Sequence, residues 1–144
     1  MIEKLTERLR QSEGLSFVPY KCPAGYLTIG YGHNLEANGI SLEAAELLLR
    51  QDIEIALKQV KNAFAWCSQL DEARMSVLVD MCFNMGITRL CGFKKMLSAV
   101  EAGDYKTAAK EMLNSKWARQ VKGRAVELGK IMETGEWYPE GAKK

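Results

Sequence analysis

Three side chains near the amino terminus have the types needed for acid, thiol and hydroxyl chemistry. Eight residues separate Glu13 from Cys22, and five separate Cys22 from Thr28. A carboxylic acid can donate a proton to a leaving group, and a thiol or hydroxyl can hold water or attack as a nucleophile. Each residue also has a plain structural interpretation, because surface Glu residues are common and Thr favours strands. Taken alone, the three residues form an incomplete constellation.

The elements that must position these residues are a helix and a small sheet. Ile2, Leu5 and Leu9 recur at helical spacing and predict a first helix that ends near Ser12. Strand-favouring residues then fill positions 17–31, with a turn signal at residues 22–25. The pattern predicts an antiparallel hairpin or meander. Its glycines at positions 30 and 32 would let the backbone pass close to another group.

The rest of the chain reads as helical. Ser41 is a good N-cap for one long helix of roughly 22 residues. Its apolar stripe is Leu42, Ala45, Leu49, Ile53, Ala56, Val60 and Phe64. Further helices are predicted at 71–86, 92–102 and 104–113, with Asp71 and Asp104 as N-caps, and the last helices are predicted within 116–134. The predicted class is therefore α+β.

Composition limits the function classes. The chain has 144 residues, of which 47% are hydrophobic, enough for one domain with room for two lobes around a cleft. The net charge of +2 is too small to argue for nucleic acid. Seven basic and three acidic residues lie within 104–130, and this stretch fits either a polyanion-attracting surface or a solvated helix face.

Nothing in the composition predicts a cofactor, a metal or a membrane span. The four cysteines lack paired spacing and there is one His, so no zinc site is expected. Cys67, Cys82 and Cys91 have apolar neighbours and are expected to be reduced core residues. The seven Met residues are interpreted as core. No apolar run approaches the roughly 20 residues that span a bilayer, and the charged amino terminus has no signal-peptide core.

Several short segments together resemble the phage lysozymes, a family that includes the T-even phage lysozyme and the lambdoid phage endolysins. In that family a Glu is followed, after eight intervening residues, by an Asp or sometimes a Cys. Five further residues separate that position from a Thr. The matching segments here are EGL at 13–15, YKC at 20–22 and GYLTIGYGH at 25–33. Further similarity lies in QD at 51–52, FNMG at 83–86, GF at 92–93, SKW at 115–117, RA at 124–125 and TGEW at 134–137. The resemblance covers nearly the whole chain.

The resemblance implies a two-lobed, lysozyme-like α+β fold. Residues 13–60 would form a small antiparallel sheet lobe with the connecting long helix, and residues 1–12 and 61–144 a larger helical lobe. The amino-terminal helix would pack on the helical lobe. The glycan would lie in the cleft between the lobes.

The resemblance also implies a reaction: hydrolysis of the β-1,4 bond between N-acetylmuramic acid and N-acetylglucosamine, by inversion. Glu13 would be the general acid and would have to carry a proton in a sufficiently buried position, while Thr28 would position the attacking water. Cys22 departs from the more common Asp, and three roles stay open. It could hold water beside Thr28, act as a thiolate nucleophile, or be dispensable.

Further residues take supporting or substrate-binding roles by the same resemblance. Arg124 would lie near Glu13 and orient it, and His33 would form a structural ion pair with Asp52. The expected glycan contacts are Tyr20, Tyr31, Gly32, Phe83 and Asn84.

The expected partner is the glycan strand of peptidoglycan, with no nucleic acid and no stable membrane insertion. We expect a monomer made in the host cytoplasm that reaches periplasmic peptidoglycan after a separate holin permeabilises the membrane. Four alternatives stay open. They are a wall-binding module that lost catalysis through Cys22, a helical nucleic-acid binder, a thiol hydrolase using Cys22 and His33, and a lytic transglycosylase.

Overall fold

The structure is a computed structural model that describes residues 1–139. These residues form two compact units, Met1–Leu48 and a second unit that begins at Leu49. Residues 140–144 of the predicted helical lobe lie outside the described residues. The predicted lobe boundaries and the predicted packing of the first helix stay predictions.

The first unit contains the first helix of the chain, a three-stranded sheet and a single helical turn. Its elements are α1 (Ile2–Glu13), β1 (Ser16–Lys21), β2 (Leu27–Gly30), β3 (His33–Asn34) and α2 (Leu35–Asn38). The strands are antiparallel in the order β1-β2-β3. Of the predicted hairpin or meander, β1 and β2 form the hairpin, and β3 extends it to a meander. The helical turn α2 was not predicted, because an element of four residues shows no periodicity.

The hairpin turn follows from the residues between β1 and β2. The amide of Gly25 donates to the carbonyl of Cys22 at 2.8 Å, and the amide of Cys22 donates to the carbonyl of Tyr26 at 2.9 Å. Gly25 has a φ of +88°, which residues with a Cβ rarely adopt. The turn therefore brings Cys22 back alongside the start of β2.

The long helix, α3, spans Leu42–Ala63 and has the predicted 22 residues. The hydroxyl of Ser41 accepts from the amide of Ala44 at 3.1 Å, as expected of an N-cap. Only the carboxyl-terminal part of the predicted apolar stripe is buried, at Ala56, Val60 and Phe64. Leu42, at the start of the stripe, is 77% exposed.

The second unit is helical. After α3 come a 3-10 helix (Ala65–Gln69), α4 (Glu72–Met85), α5 (Ile87–Cys91), α6 (Lys94–Glu101), α7 (Tyr105–Leu113), α8 (Lys116–Val121) and α9 (Gly123–Thr134). Asp71 and Asp104 cap α4 and α7 as predicted. The last helices predicted within 116–134 are α8 and α9, and they are separated at Lys122, which has a φ of +47°.

The hydrophobic core belongs to this second unit. Its fully buried large side chains are Leu78, Met81, Leu90, Met96, Met112, Met132, Val60, Val77 and Val100. The prediction that the methionines are core residues is therefore confirmed for four of them. Cys67 and Cys82 are buried free thiols, but Cys91 is exposed, so its expected core position was wrong. The last turn of the short helix α5 leaves it facing solvent.

One arginine ties three helices of this unit together. Arg74 Nε donates to the carbonyl of Met132 at 2.7 Å, and Nη2 donates to the carbonyl of Glu133 at 2.9 Å. The guanidinium also lies over the ring of Tyr105, 3.6 Å from its centroid. Because these carbonyls belong to the last turn of α9, Arg74 satisfies groups that the helix itself cannot.

Candidate active site

Glu13 is the last residue of α1. The helix ends there because Gly14 takes a φ of +70°. The carboxyl group lies against Gly32, since a Cβ built on that glycine would sit 2.5 Å from Glu13 Oε2. The backbone of Gly32 thus makes the close approach expected of it, whereas a Cβ on Gly30 would meet nothing within 4 Å.

The Glu13 side chain is less buried than its role as a general acid led us to expect. Glu13 is exposed. The physical reason is its location at a helix end, where the neighbour found beside it is a glycine without a side chain that could exclude water.

Thr28 lies in the middle of the sheet. It is 3% exposed and is the one buried residue of the first unit. It stands opposite Tyr20 of β1 and opposite Asn34 of β3. Its hydroxyl donates to the carbonyl of Tyr26 at 2.9 Å. With its proton committed to that carbonyl, the oxygen keeps its lone pairs for a donor such as water.

Cys22 sits at the start of the hairpin turn with its sulfur among hydrogen-bond donors. A hydrogen bond from the Tyr26 backbone is the largest cause that lowers the pKa of the Cys22 thiol below its usual value of 9.0. The backbones of Ala24 and Gly25 act in the same direction, and desolvation opposes them. The hairpin thus places Cys22 next to the strand that carries Thr28, and the pKa of its thiol is lowered.

His33 is held by a backbone carbonyl. Its Nε2 lies 2.6 Å from the carbonyl oxygen of Gly39. A carbonyl can only accept, so Nε2 carries the proton and donates it. Asp52 is an exposed residue of α3. The expected ion pair between His33 and Asp52 stays a prediction.

The remaining predicted residues are distributed over both units. Tyr20 is half-buried in β1, Tyr31 is 48% exposed, and Phe83 is 42% exposed at the end of α4. Asn84 accepts at Oδ1 from Trp117 Nε1 at 2.8 Å, which leaves its NH2 group as the donor it could offer to a ligand.

Arg124 has a partner that the sequence did not indicate. Its Nε donates to Asp80 Oδ1 at 3.0 Å, and Nη2 donates to the same oxygen. Asp80 is an isolated acid between the apolar residues Val79 and Met81 of α4, and that isolation is the signal that could have singled it out. Its role was missed because the two residues lie 44 positions apart. The expected orientation of Glu13 by Arg124 stays a prediction.

Neither a metal cluster nor a membrane-spanning helix is found in the part of the chain that the structure describes. Within residues 1–139, no three His, Cys, Asp or Glu side chains come together to form a metal site. None of the helices in this range is both long and apolar enough to cross a bilayer.

A small antiparallel sheet, an acid at the end of the first helix and a set of later helices define an α+β, lysozyme-like fold. The chain belongs to the phage lysozyme family, which it matches over residues 10–131. The class of activity is therefore that of a glycoside hydrolase.

Individual relatives span most of the chain. It is 29% identical to "Probable T4-type lysozyme 1" of Dictyostelium discoideum, with 94% of this chain and 96% of that protein covered. It is 30% identical to an "Endolysin" of Acyrthosiphon pisum secondary endosymbiont phage 1, with 88% and 86% covered. It is also 30% identical to "Pre-baseplate central spike protein Gp5" of Enterobacteria phage T4, where the match covers 91% of this chain and 28% of that protein.

Proposed function

We propose that this protein is an endolysin of the muramidase type. It hydrolyses the β-1,4 bond between N-acetylmuramic acid and N-acetylglucosamine in peptidoglycan and so releases phage progeny by lysis of the host. The observation that carries the proposal is that Glu13, Cys22 and Thr28 lie in one unit at the family's spacing, with Thr28 buried in the sheet and Cys22 at the turn that leads into its strand.

In this proposal Glu13 is the general acid. It delivers its proton to the glycosidic oxygen as the bond to the leaving sugar breaks. Its contact with Gly32 supports the role, because the glycine leaves the carboxyl group room and holds it beside the sheet. The exposure of Glu13 requires that bound glycan itself exclude water from the carboxyl group.

Thr28 and Cys22 hold the water that attacks the sugar. The Thr28 oxygen can accept from this water, because its own proton goes to Tyr26. The donors around Cys22 favour a negative sulfur, which can take the electrostatic role of the family's more common carboxylate. Direct attack by water gives inversion at the anomeric carbon.

The two other roles of Cys22 are distinguished by the product. A covalent thioglycosyl intermediate would give net retention, whereas attack by water gives inversion. NMR of the first-formed anomer decides between them. If Cys22 is dispensable, Cys22→Ser and Cys22→Ala will both keep the activity of the parent.

We propose the same glycan contacts that the resemblance to the family implies. In the first unit they are Tyr20, Tyr31 and Gly32, and in the second they are Phe83 and the free NH2 group of Asn84. The supporting roles are also proposed unchanged: Arg124 orients Glu13, and His33 forms a structural ion pair with Asp52. His33 also fixes the backbone beyond β3 through its bond to Gly39.

The test of the function compares the parent with Glu13→Gln on purified peptidoglycan and on outer-membrane-permeabilised Gram-negative cells. Glu3→Gln is the matched control, because Glu3 lies in the same helix and undergoes the same change. We expect clearing by the parent and the control but not by Glu13→Gln. Clearing by Glu13→Gln at the parental rate would overturn the assignment.

Mass spectrometry of the same products separates two reaction types. Hydrolysis gives a reducing end, and a lytic transglycosylase gives an anhydro sugar. Binding of peptidoglycan by the parent without any turnover would instead support a wall-binding module.

Delivery to the wall is also part of the proposal. The protein is a monomer that is made in the host cytoplasm and acts on periplasmic peptidoglycan after a separate holin permeabilises the membrane. Expression with and without a permeabilising protein tests this, since lysis should require both. Lysis by this chain alone would contradict it.

A further inference from the structure

The peptide bond between Tyr26 and Leu27 is held on both sides by hydrogen bonds. Its carbonyl, on Tyr26, accepts from the amide of Cys22 at 2.9 Å and from the hydroxyl of Thr28 at 2.9 Å. A carbonyl oxygen has two lone pairs, so both are used. Its N–H, on Leu27, donates to Oε1 of Glu36 at 3.1 Å. This peptide therefore connects a carboxylate of α2 to the hydroxyl that is proposed to hold water.

Glu36 reaches the peptide because the chain leaves the sheet just before it. The pairing of β3 with β2 extends only to Asn34, which stands opposite Thr28. Asn34 then caps α2 by accepting from the amide of Ala37 at 2.9 Å, so the chain turns into a helix instead of continuing along β2. The side chain of Glu36 thus supplies the acceptor that a longer β3 would have offered to the amide of Leu27.

The Glu36 carboxylate can act on Thr28 through the peptide that lies between them. The C=O and N–H of a trans peptide are held in one plane, so a bond that fixes the N–H also fixes the carbonyl. A hydrogen bond from an N–H to a carboxylate is charge-assisted, and it polarises the carbonyl of the same peptide. The Tyr26 carbonyl becomes a stronger acceptor for the Thr28 proton. The Thr28 oxygen then presents its lone pairs, and not its proton, to water.

We propose that Glu36 is a positioning residue for the hydrolysis, which holds the Thr28 hydroxyl in the state that accepts from the attacking water. Glu36 acts through the peptide between Tyr26 and Leu27 and needs no contact with the glycan. The inference rests on the proposed function and deepens it, because it assigns the residue that orients Thr28. Glu36 is exposed, so its substitution removes no part of the buried core.

The test is a double-mutant cycle between Glu36→Ala and Thr28→Val, with kcat and KM measured on soluble peptidoglycan strands. Glu46→Ala is the matched control, because Glu46 is an exposed acid of the same unit and undergoes the same change. Glu36→Gln is the conservative variant, since its amide oxygen can accept from Leu27 without a charge. This variant carries the cycle if thermal unfolding shows that the alanine variant does not fold.

We expect Glu36→Ala to lower kcat about fivefold with KM unchanged, and Glu46→Ala to match the parent. Glu36→Gln should lose only about twofold, because an acceptor is kept. In the Thr28→Val background, Glu36→Ala should change kcat by less than about 1.5-fold, since no hydroxyl is left to orient. The amide of Leu27 should exchange its hydrogen faster in Glu36→Ala than in the parent, because its hydrogen bond is lost.

An equal fall in kcat with and without the Thr28 hydroxyl would overturn the inference, because Glu36 would then act on the fold and not on the hydroxyl. A higher KM with unchanged kcat in Glu36→Ala would overturn it in favour of a glycan contact. Unchanged kinetics of Glu36→Ala beside an active parent would also overturn it, and the proposed function would stand. A parent without turnover would overturn the proposed function and this inference with it.

Discussion

The first unit, Met1–Leu48, and the second unit, from Leu49 onward, are held together by different interactions. In the first unit Thr28 alone is buried, and short strands, a tight turn and glycines with positive φ define the backbone. In the second unit, long side chains such as Leu78, Met81 and Met112 are fully removed from solvent.

The proposed catalytic groups and the stabilising hydrophobic core therefore lie in different units. The proposed acid, the thiol and the hydroxyl all lie in the unit built from hydrogen bonds and turns, where backbone groups can point at a reacting atom. The apolar side chains that stabilise the fold lie in the other unit. Substitutions in the first unit should therefore act on turnover, and substitutions in the core of the second on unfolding.

The largest effect on stability is expected from Met81→Ala. Met81 is fully buried, so truncation leaves a cavity and should cost about 2–5 kcal/mol of unfolding free energy. Urea denaturation measures this, and activity at low temperature should stay within about threefold. Val126→Ala, at a position 48% exposed, is the control and should cost far less. Equal losses of unfolding free energy in the two variants would contradict the conclusion that the core of the second unit stabilises the fold.

The next largest effect is expected from Thr28→Val. Valine keeps the shape and removes the oxygen that holds water, so kcat should fall by about a hundredfold. Loss of the bond to Tyr26 should cost about 1 kcal/mol of stability. Thr28→Ser keeps a hydroxyl and should recover most of the activity. A valine variant that is destabilised but fully active would make Thr28 structural.

A pair of glycines tests the contact with Glu13. Gly30 and Gly32 have nearly equal φ values of +68° and +69°, so both Ala variants carry similar backbone strain. Only the Cβ at position 32 would collide with the carboxyl group. Gly32→Ala should lower kcat about tenfold further than Gly30→Ala, because the acid is displaced. Equal losses would show that strain alone matters.

The pH profile of Cys22→Ser should differ from that of the parent. Donors around the sulfur lower the pKa of Cys22, so the thiolate forms below pH 9.0. If the negative sulfur helps the water while Glu13 keeps its proton as the general acid, the pH profile of the parent should include the ionisation of Cys22. Serine does not ionise in this range, so that ionisation should be absent from the profile of Cys22→Ser, and its activity should be a few-fold lower. An unchanged profile would remove Cys22 from the proposed mechanism.

The smallest effect is expected from Ser115→Ala in the second unit. The Ser115 hydroxyl accepts from the amide of Ala118 and caps α8, so its loss should cost about 1 kcal/mol. Thermal unfolding measures the change. Ser98→Ala, at an exposed position within α6, is the control and should be close to neutral. A loss of turnover without a loss of stability would instead implicate Ser115 in binding.

Local patterns in the sequence determined much of this protein. The stripe from Leu42 to Phe64 with its cap at Ser41 predicted α3, and Asp71 and Asp104 marked the starts of α4 and α7. The turn residues at 22–25 predicted the hairpin, and the spacing of Glu13, Cys22 and Thr28 indicated the family. These features need only neighbouring residues, because caps, turns and periodicity act within a few positions.

Only the tertiary structure decided which distant groups meet. The pairing of Arg124 with Asp80, the binding of Arg74 to the end of α9, and the contact of Glu13 with Gly32 leave no local trace in the sequence. The exposure of Cys91 was missed for the same reason. Such contacts depend on how helices and strands pack, and many sequences with the same local patterns would pair their side chains differently.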